Sequence, residues 1–203
     1  MCGRFTLTRP PAEVADLFGV EIPEIAPRWN IAPTQPVLAV RRDGAALLRW
    51  GLVPSWAQDL SIGVRMLNAR GETVREKPAF RTAFAKRRCL VPADGFYEWR
   101  TVGKKRLPLH FRLGGLFAIG GVWERWRDVE TVALLTTQAN DAVRVAHDRM
   151  PVIVPQQRWA AWLAEGEIGD DWLMPWPAER TETVEADPFV NNARNEGPQC
   201  WAA

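Results

Sequence analysis

The sequence predicts an α+β fold in which a mostly antiparallel, barrel-like β-sheet is flanked by helices. Segments with strand character cluster in the middle of the chain, and helical segments are inserted around them. Glycine-containing turns at Gly103-Lys104 and Gly114-Gly115 separate several of these strands. With 203 residues and no linker or repeat, we expect one domain over residues 1–203, with a core at about 2–195 and a short C-terminal tail.

The first part of the chain predicts one helix and one β-hairpin. Residues 10–18 begin with two prolines and are followed by Gly19, which is typical of a short helix. Val37–Arg41 and Ala46–Leu52 flank Asp43-Gly44, and an Asp-Gly pair between two such runs indicates a hairpin turn.

The remaining elements are short strands and helices. The predicted strands are Cys89–Val91, Phe96–Arg100, Leu107–Arg112, Phe117–Trp123, Val132–Thr136, Pro151–Val154 and one near Thr183–Ala186. The predicted helices are Pro78–Lys86, Asn140–Val145 and one that starts at Pro155 and ends at Gly166. The stretches predicted to be irregular are residues 20–35 and 53–63, and residues 69–74 are ambiguous.

Composition excludes several classes of protein. The chain is 47% hydrophobic and 25% charged, as is ordinary for a globular protein, and it has no apolar run that predicts a membrane span or a signal peptide. Three cysteines without a CxxC pair, together with two histidines, argue against a disulfide framework or a metal site. We therefore expect a cytoplasmic protein without metal or cofactor.

The charge distribution and the tryptophan content indicate a polyanionic binding partner. Residues 65–88 carry eight basic and two acidic side chains, whereas residues 164–203 carry nine acids and two arginines. The basic stretch indicates a polyanion-binding surface, although a solvated helix surface would show the same pattern. Most of the 11 tryptophans are expected in the core, but a few exposed beside arginines would stack unpaired bases.

Cys2 carries two nucleophiles if Met1 is removed. The α-amine of a new N-terminal residue has a pKa of about 8, and the thiol beside it a pKa of about 8.5. An amine attacks an aldehyde to form a Schiff base, and a neighbouring thiol can close that imine into a thiazolidine ring. The alternative is a cysteine that is simply buried near the start of the chain.

Asn68, which follows two apolar residues, and Arg70 are candidates for binding. Asn68 cannot ionise and could hold an amine or a carbonyl by hydrogen bonds, or it could be a turn or helix-cap residue. Arg70 could hold a phosphate in its planar fork, or it could form a surface ion pair with Glu72.

Glu98 and His147 are the candidates for proton transfer. In a strand beginning at Phe96, Glu98 shares the apolar face, which raises a carboxyl pKa, unless it lies in an edge strand and pairs with Arg100 or Lys104. His147 precedes an apolar strand and could shuttle protons near neutral pH, or it could be structural. We interpret His110, in the middle of a predicted strand, as structural.

In combination these segments resemble the abasic-site processing family, also called the SOS response-associated peptidase (SRAP) family. The similarity runs in order from residue 2 to about residue 195 and rests on specific motifs. These motifs are Met1-Cys2-Gly3-Arg4-Phe5, Trp29-Asn30-Ile31-Ala32-Pro33-Thr34, Trp50-Gly51-Leu52-Val53-Pro54, Asn68-Ala69-Arg70-Gly71-Glu72-Thr73, Arg88 to Trp99, His147-Asp148-Arg149-Met150-Pro151 and Val190-Asn191-Asn192.

The resemblance implies a sensor of abasic sites in single-stranded DNA. Cys2 would be the nucleophile that forms a thiazolidine crosslink with the ring-opened sugar aldehyde and so protects the lesion during the DNA damage response. Asn68 would orient the amine or the ring, and Glu98 and His147 would move protons. Lyase chemistry through the Schiff base, crosslink reversal and self-cleaving peptidase activity are also implied by the family.

The resemblance also implies which residues contact DNA. The implied phosphate contacts are Arg4, Arg70, Arg81 and Arg149, and the implied stacking and wedge surface is formed by Pro33 and Trp50. The expected partner is single-stranded DNA that contains abasic sites, with no membrane. We expect a monomer in the cytoplasm that is associated with the nucleoid when bound to DNA.

Two rival functions remain open. The first is a cysteine hydrolase acting on peptide or amide bonds, with Cys2 as nucleophile and His147 as base. The second is a non-catalytic reader of modified bases, whose binding would survive Cys2→Ala and weaken with salt.

Overall fold

The computed structural model describes residues 3–201. Its fold consists mainly of β-strands. The strands are β1 (Phe5–Leu7), β2 (Arg28–Ile31), β3 (Pro36–Arg41), β4 (Gly44–Trp50), β5 (Asn68–Arg70), β6 (Arg88–Ala93), β7 (Gly95–Val102), β8 (Lys105–Arg112), β9 (Phe117–Trp126), β10 (Val129–Gln138), β11 (Arg149–Pro151), β12 (Ile153–Val154) and β13 (Glu182–Glu185). The α-helices are α1 (Pro11–Phe18), α2 (Arg81–Lys86), α3 (Asp141–Arg144) and α4 (Trp159–Leu163). Short 3-10 helices cover Leu60–Arg65, Gly71–Thr73, Gln156–Arg158, Asp170–Leu173, Ala178–Arg180, Pro188–Asn191 and Pro198–Cys200.

A closed five-stranded barrel forms the centre of the fold. Antiparallel pairs link β4 to β3, β3 to β6, β6 to β9 and β9 to β10, and a parallel pair between β10 and β4 closes the ring. Closure removes exposed strand edges. Beyond the ring, β5 and β11 pair with the second half of β10, and β12 pairs with β9.

A second, antiparallel sheet packs against the barrel, in the order β13-β8-β7-β1-β2. One apolar cluster contains Phe5 and Phe96 from this sheet together with Leu48, Ile119 and Leu134 from the barrel. Its burial is the main stabilising contribution, at about 25 cal/mol per Å². The predicted α+β class with a barrel-like, mostly antiparallel sheet is confirmed.

The predicted first helix and hairpin are present. α1 ends at Phe18, and Gly19 adopts a left-handed conformation with φ 64°, which glycine accepts without steric cost. In the hairpin Arg41 pairs with Gly44, so the turn residues are Arg42 and Asp43. The turn therefore lies one residue earlier than the Asp-Gly pattern predicts.

Two predicted helices are shorter than expected. α2 begins at Arg81 because residues 78–80 form a turn and Phe80 has a non-helical φ of −122°. The segment after Pro155 is a 3-10 turn followed by α4, which ends at Leu163 instead of at Gly166, since Ala164 is already extended. Buried Arg88 accounts for this end, because its guanidinium donates to the carbonyls of Trp162, Ala164 and Gly166.

The strand prediction missed β1 and β2 and merged β11 with β12. β1 and β2 are short and lie within or beside stretches without clear alternation, so their pairing depends on the rest of the sheet. β11 pairs with β10 and β12 pairs with β9, so the single strand predicted at Pro151–Val154 serves two partners.

The C-terminal segment folds back over the start of the chain. The buried amide of Asn30 donates to the carbonyls of Asn192 and Asn195 at 3.1 and 2.7 Å. Val190 and Cys200 are fully buried, so residues 188–201 are packed on the sheet. In the described part of the chain, no helix has the length and apolarity needed to cross a membrane.

Candidate functional site

Glu98 lies on an inner strand next to the start of the chain. β7 is flanked by β8 and β1, with Phe5 opposite Phe96 and the Tyr97 N–H donating to the Arg4 carbonyl at 2.9 Å. Continued toward the N-terminus, this register leads to Glu98. The alternative of an edge-strand glutamate paired with Arg100 or Lys104 is therefore excluded.

The Glu98 carboxyl is suited to proton transfer near neutral pH. The residue is 2% exposed, and burial raises its pKa to about 7. The negative charge of Asp148 raises this pKa further, and Arg106 lowers it. A carboxyl with a pKa near the working pH can both give and take a proton.

Asn68 is the first residue of β5, on the barrel side of the site. It pairs with Leu134 of β10, and the preceding Leu67 carbonyl accepts hydrogen bonds from the Leu134 N–H and the Trp50 indole N–H at 3.0 and 2.9 Å. These contacts fix the backbone of Asn68 in a strand, so the interpretation as a turn or helix-cap residue is wrong. The half-buried side chain is presented from a rigid element.

His147 lies two residues before β11, so β5 and the His147 segment flank the second half of β10. Its Nδ1 accepts from the Arg149 N–H at 2.9 Å and lies 2.8 Å from Asp148 Oδ1. A neutral ring with its proton on Nε2 accepts from the amide, whereas a ring protonated on Nδ1 donates to Asp148. Burial lowers the pKa of His147, and its side chain is partly exposed.

Two charged residues, Arg106 and Asp148, affect the pKa of both Glu98 and His147. Arg106 lowers the pKa of both Glu98 and His147, and Asp148 acts on both groups. Glu98 from the second sheet and His147 from the barrel therefore respond to the same two charges.

A pocket of about 420 Å³ beside His147 contains one of the predicted phosphate contacts. Its lining residues are Arg70, Gln138, Arg144, Asp148 and Arg149. Arg70 is exposed, and its expected partner Glu72 pairs with Arg149 instead.

Arg149 has a structural role in this geometry. Its guanidinium donates to both Glu72 carboxylate oxygens at 2.6 and 2.8 Å and to the Thr136 carbonyl at 2.7 Å, and its side chain is 11% exposed. These hydrogen bonds lower the pKa of Glu72. The arginine fork is thus held by Glu72 and Thr136, and a phosphate contact by Arg149 stays a prediction.

The other two predicted phosphate contacts are separate from this pocket. Arg4 Nη1 donates to Asn30 Oδ1 at 2.7 Å and to the Val190 carbonyl at 2.8 Å, so part of this guanidinium holds the C-terminal segment. Arg81 is exposed at the start of α2, which packs on β6 and β9. The structure does not bring Arg81 into the pocket beside His147.

The prediction that Trp50 stacks on DNA is wrong. Trp50 is fully buried, packs edge-on against Phe5 at 5.3 Å and donates its indole N–H to Leu67. The exposed tryptophan is Trp56, which is 62% exposed in the loop between β4 and β5. Its setting, Pro54-Ser55-Trp56, was a usable signal, because a tryptophan beside proline and serine belongs to a loop.

The loop that carries Trp56 is held in place by a hairpin. The Trp126 indole, at the end of β9, donates to the Ala57 carbonyl at 2.6 Å. Gly51 and Gly63 approach so closely that a Cβ on either would meet the other's backbone oxygen at 2.7 and 2.6 Å. Trp56 is therefore presented from a braced loop.

Pro33 is half-buried and precedes a strained residue. Thr34 has φ 69°, an uncommon conformation for a β-branched residue. Its N–H donates to the Trp50 carbonyl at 2.9 Å, and its carbonyl accepts from Arg49 at 2.7 Å. These contacts hold the Pro33 turn at the end of β2.

Part of the basic stretch is structural. Arg88 is buried, Arg87 pairs with Glu124 at 2.6 Å and Arg75 pairs with Asp170 at 2.8 Å. The exposed basic residues of this stretch are Arg65, Arg70, Arg75, Lys77, Arg81 and Lys86. Cys2, the predicted nucleophile, lies outside the described residues.

The two sheets present a buried carboxyl at Glu98, a partly exposed imidazole at His147 and a half-buried amide at Asn68. Such a set can move protons and orient a reacting group. Buried His110 is not part of it, because burial lowers its pKa to about 3.

Comparisons with known proteins identify the family of the chain. The family model described as SOS response associated peptidase (SRAP) matches residues 1–193. The abasic site processing protein YoaM of Bacillus subtilis (strain 168) is 37% identical over 219 residues, covering 98% of this chain and 96% of that protein. The abasic site processing protein HMCES of Xenopus tropicalis is 28% identical, covering 78% of this chain and 57% of that protein.

Solved structures share the fold. A crystal structure of a protein from Bacteroides thetaiotaomicron superposes with a TM-score of 0.90 at 24% identity, covering 98% of each chain. A second, from Bordetella bronchiseptica, has a TM-score of 0.81 at 27% identity and covers 92% of this chain and 100% of that one.

Proposed function

The chain belongs to the SOS response associated peptidase (SRAP) family, and on this premise we propose that it processes abasic sites in single-stranded DNA by bonding covalently to them. Relatives that match nearly the whole chain carry the name abasic site processing protein. The observation in this chain that carries the proposal is the buried Glu98 carboxyl, with a pKa of about 7, at the end of the sheet to which β1 leads.

The proposed nucleophile is Cys2 after removal of Met1. Its α-amine adds to the aldehyde of the ring-opened sugar, and the carbinolamine loses one water to form a Schiff base. The thiol then adds to the imine carbon, and its proton passes to the nitrogen. The product is a thiazolidine that joins protein and DNA.

Three side chains support these steps in the proposal. The pairing of β1 with β7, with Phe5 opposite Phe96, supports a role for Glu98. Glu98 and His147 would transfer the protons of ring opening, water loss and cyclisation. Asn68, presented by β5, would orient the amine or the ring by hydrogen bonds.

We propose DNA contacts from the side chains that are exposed in the structure. Arg70 is the proposed phosphate contact nearest to His147, and exposed Trp56, in place of Trp50, is the proposed stacking surface with Pro33. The predicted phosphate contacts of Arg4 and Arg81 remain proposals. Unpaired bases are needed for such stacking, which favours single-stranded DNA.

The same Schiff base also permits a lyase side reaction. If β-elimination precedes attack by the thiol, the DNA strand is cut, whereas ring closure keeps the strand intact. We propose that fast cyclisation makes protection of the lesion the main outcome.

The proposal is tested by mixing the protein with a single-stranded oligonucleotide that carries one abasic site, followed by a denaturing gel. We expect a heat-stable shifted band that is absent with undamaged DNA and with Cys2→Ala. A protein that retains one residue before Cys2 should also fail, because its amine is blocked. A heat-stable crosslink from that blocked protein would contradict attack by the α-amine.

A further inference from the structure

The pocket beside His147 carries more positive charge than the predicted contacts account for. We propose that it is a subsite for one phosphodiester next to the lesion, and that Arg144 supplies its charge together with Arg70. This inference rests on the proposed function and adds a binding residue to it.

One of the three lining arginines is already neutralised, because Arg149 forms the two-pronged ion pair with Glu72. Asp148 contributes one negative charge, which the charges of Arg70 and Arg144 outweigh. An anion that enters the pocket therefore meets the charges of Arg70 and Arg144, with the Gln138 amide as a further donor.

Arg144 is oriented for this role. Its Nη2 donates to the Ala139 carbonyl at 2.8 Å, which fixes the guanidinium at the pocket. Its only ion pair within residues 3–201 is a loose one of 3.7 Å to Asp141, and its side chain is 62% exposed. A guanidinium held at Nη2, with only this 3.7 Å contact at Nη1, can direct Nη1 to a phosphate.

The subsite has a sharp boundary at Gln138. The adjoining cavity, of about 430 Å³, shares Gln138 with the pocket but contains the acids Glu72 and Asp170 and no lining arginine. Glu72 and Asp170 are paired with Arg149 and Arg75, so this cavity adds no uncompensated positive charge. A phosphate therefore finds its arginine partners only on the Arg70 and Arg144 side of Gln138.

Equilibrium binding to an oligonucleotide with a tetrahydrofuran abasic analogue tests the subsite, because this analogue has no aldehyde and cannot crosslink. Arg144→Gln should weaken binding about tenfold and reduce the slope of log K against log[NaCl] by about 0.7, the value for one phosphate contact on a single strand. Arg144→Lys should keep the slope. Arg9→Gln, at an exposed arginine that pairs with Glu13 beside α1, is the matched control and should change neither quantity.

A neutral methylphosphonate placed at either phosphate beside the analogue identifies the contact. At one of the two positions it should weaken binding by the wild-type protein about tenfold. It should not weaken binding by the Arg144→Gln variant any further. Unchanged affinity and slope in a folded Arg144→Gln variant, or equal losses from the methylphosphonate in both proteins, would overturn the subsite. Failure of wild-type crosslinking with a true abasic site would instead sink the proposed function.

Discussion

Glu98 is a carboxyl group that the fold buries. Its face of β7 is shared with fully buried Phe96, and the charge of Arg106 lowers its pKa. Burial of this carboxyl costs free energy of folding, and it lies beside β1, at the start of the chain. Such a cost at one position is typical of a functional group.

The raised pKa of Glu98 predicts a pH-dependent stability. Between its ordinary pKa of 4.5 and about 7, the folded protein binds more protons at this group than the unfolded chain, so stability falls as pH rises through this window. The wild type should therefore lose about 3 kcal/mol relative to Glu98→Gln between pH 5 and 8. Urea unfolding of both proteins at several pH values measures this difference, and parallel pH profiles would contradict it.

The roles of candidate residues could be predicted where they depend on the local sequence pattern. They could not be predicted where they depend on whether the side chain is exposed in the folded protein. Glu98 could be placed on an apolar face because strand alternation is local. Trp50 and Trp56 both lie near glycine or proline, and only the closed barrel decides that Trp50 is interior. The partner of Glu72 also depends on tertiary structure, since Arg149 is 77 residues away.

β7 is the element that positions the site, and Gly95 is its most constrained residue. A Cβ at Gly95 would lie 2.0 Å from the Nε2 of buried His110 on β8. The His110 ring cannot withdraw, because it stacks on Tyr97 at 4.5 Å and its Nδ1 accepts from Arg112 Nε at 3.1 Å. The glycine that opens β7 is needed for close approach of a side chain.

We expect Gly95→Ala to destabilise the protein by about 3 kcal/mol, at the upper end for an overpacked core. The clash involves one ring, so His110→Ala in the Gly95→Ala background should cost less than the sum of the two single changes. Chemical denaturation of the four proteins gives this coupling energy. Additive losses would show that the clash is not with His110.

The elements most readily predicted were those with strong local signals. The β3–β4 hairpin and α1 have turn and capping residues in the sequence, and both were found. β1 has three residues and gains its pairing from β2 and β7, which no local pattern reveals. The strand that directs the chain start to the site was thus the one that could not be predicted.

At the scale of the whole molecule, the two ends of the chain are joined through Asn30. Its side chain is fully buried, accepts from Arg4 Nη1 at 2.7 Å and donates to three carbonyls of residues 190–195 at 2.7 to 3.4 Å. Arg4 is adjacent to β1, so the C-terminal segment helps to hold the strand that leads to Glu98.

Removal of the Asn30 amide should therefore loosen both ends. Asn30→Ala should cost about 3 kcal/mol, because several buried polar groups lose their partners. Exposed Asn192→Ala is the matched control and should cost less than about 1 kcal/mol. Urea unfolding with limited proteolysis of the C-terminus checks both, and equal stability of the two variants would contradict this role.

The mass of the covalent protein–DNA product tests the proposed function most directly. Crosslinked protein and DNA should sum to their separate masses less one water and less Met1, and treatment with borohydride should leave this mass unchanged, because a thiazolidine has no imine to reduce. A product that gains two hydrogens would show that the reaction stops at the Schiff base. No crosslink from protein with a verified N-terminal Cys2 would contradict the account entirely.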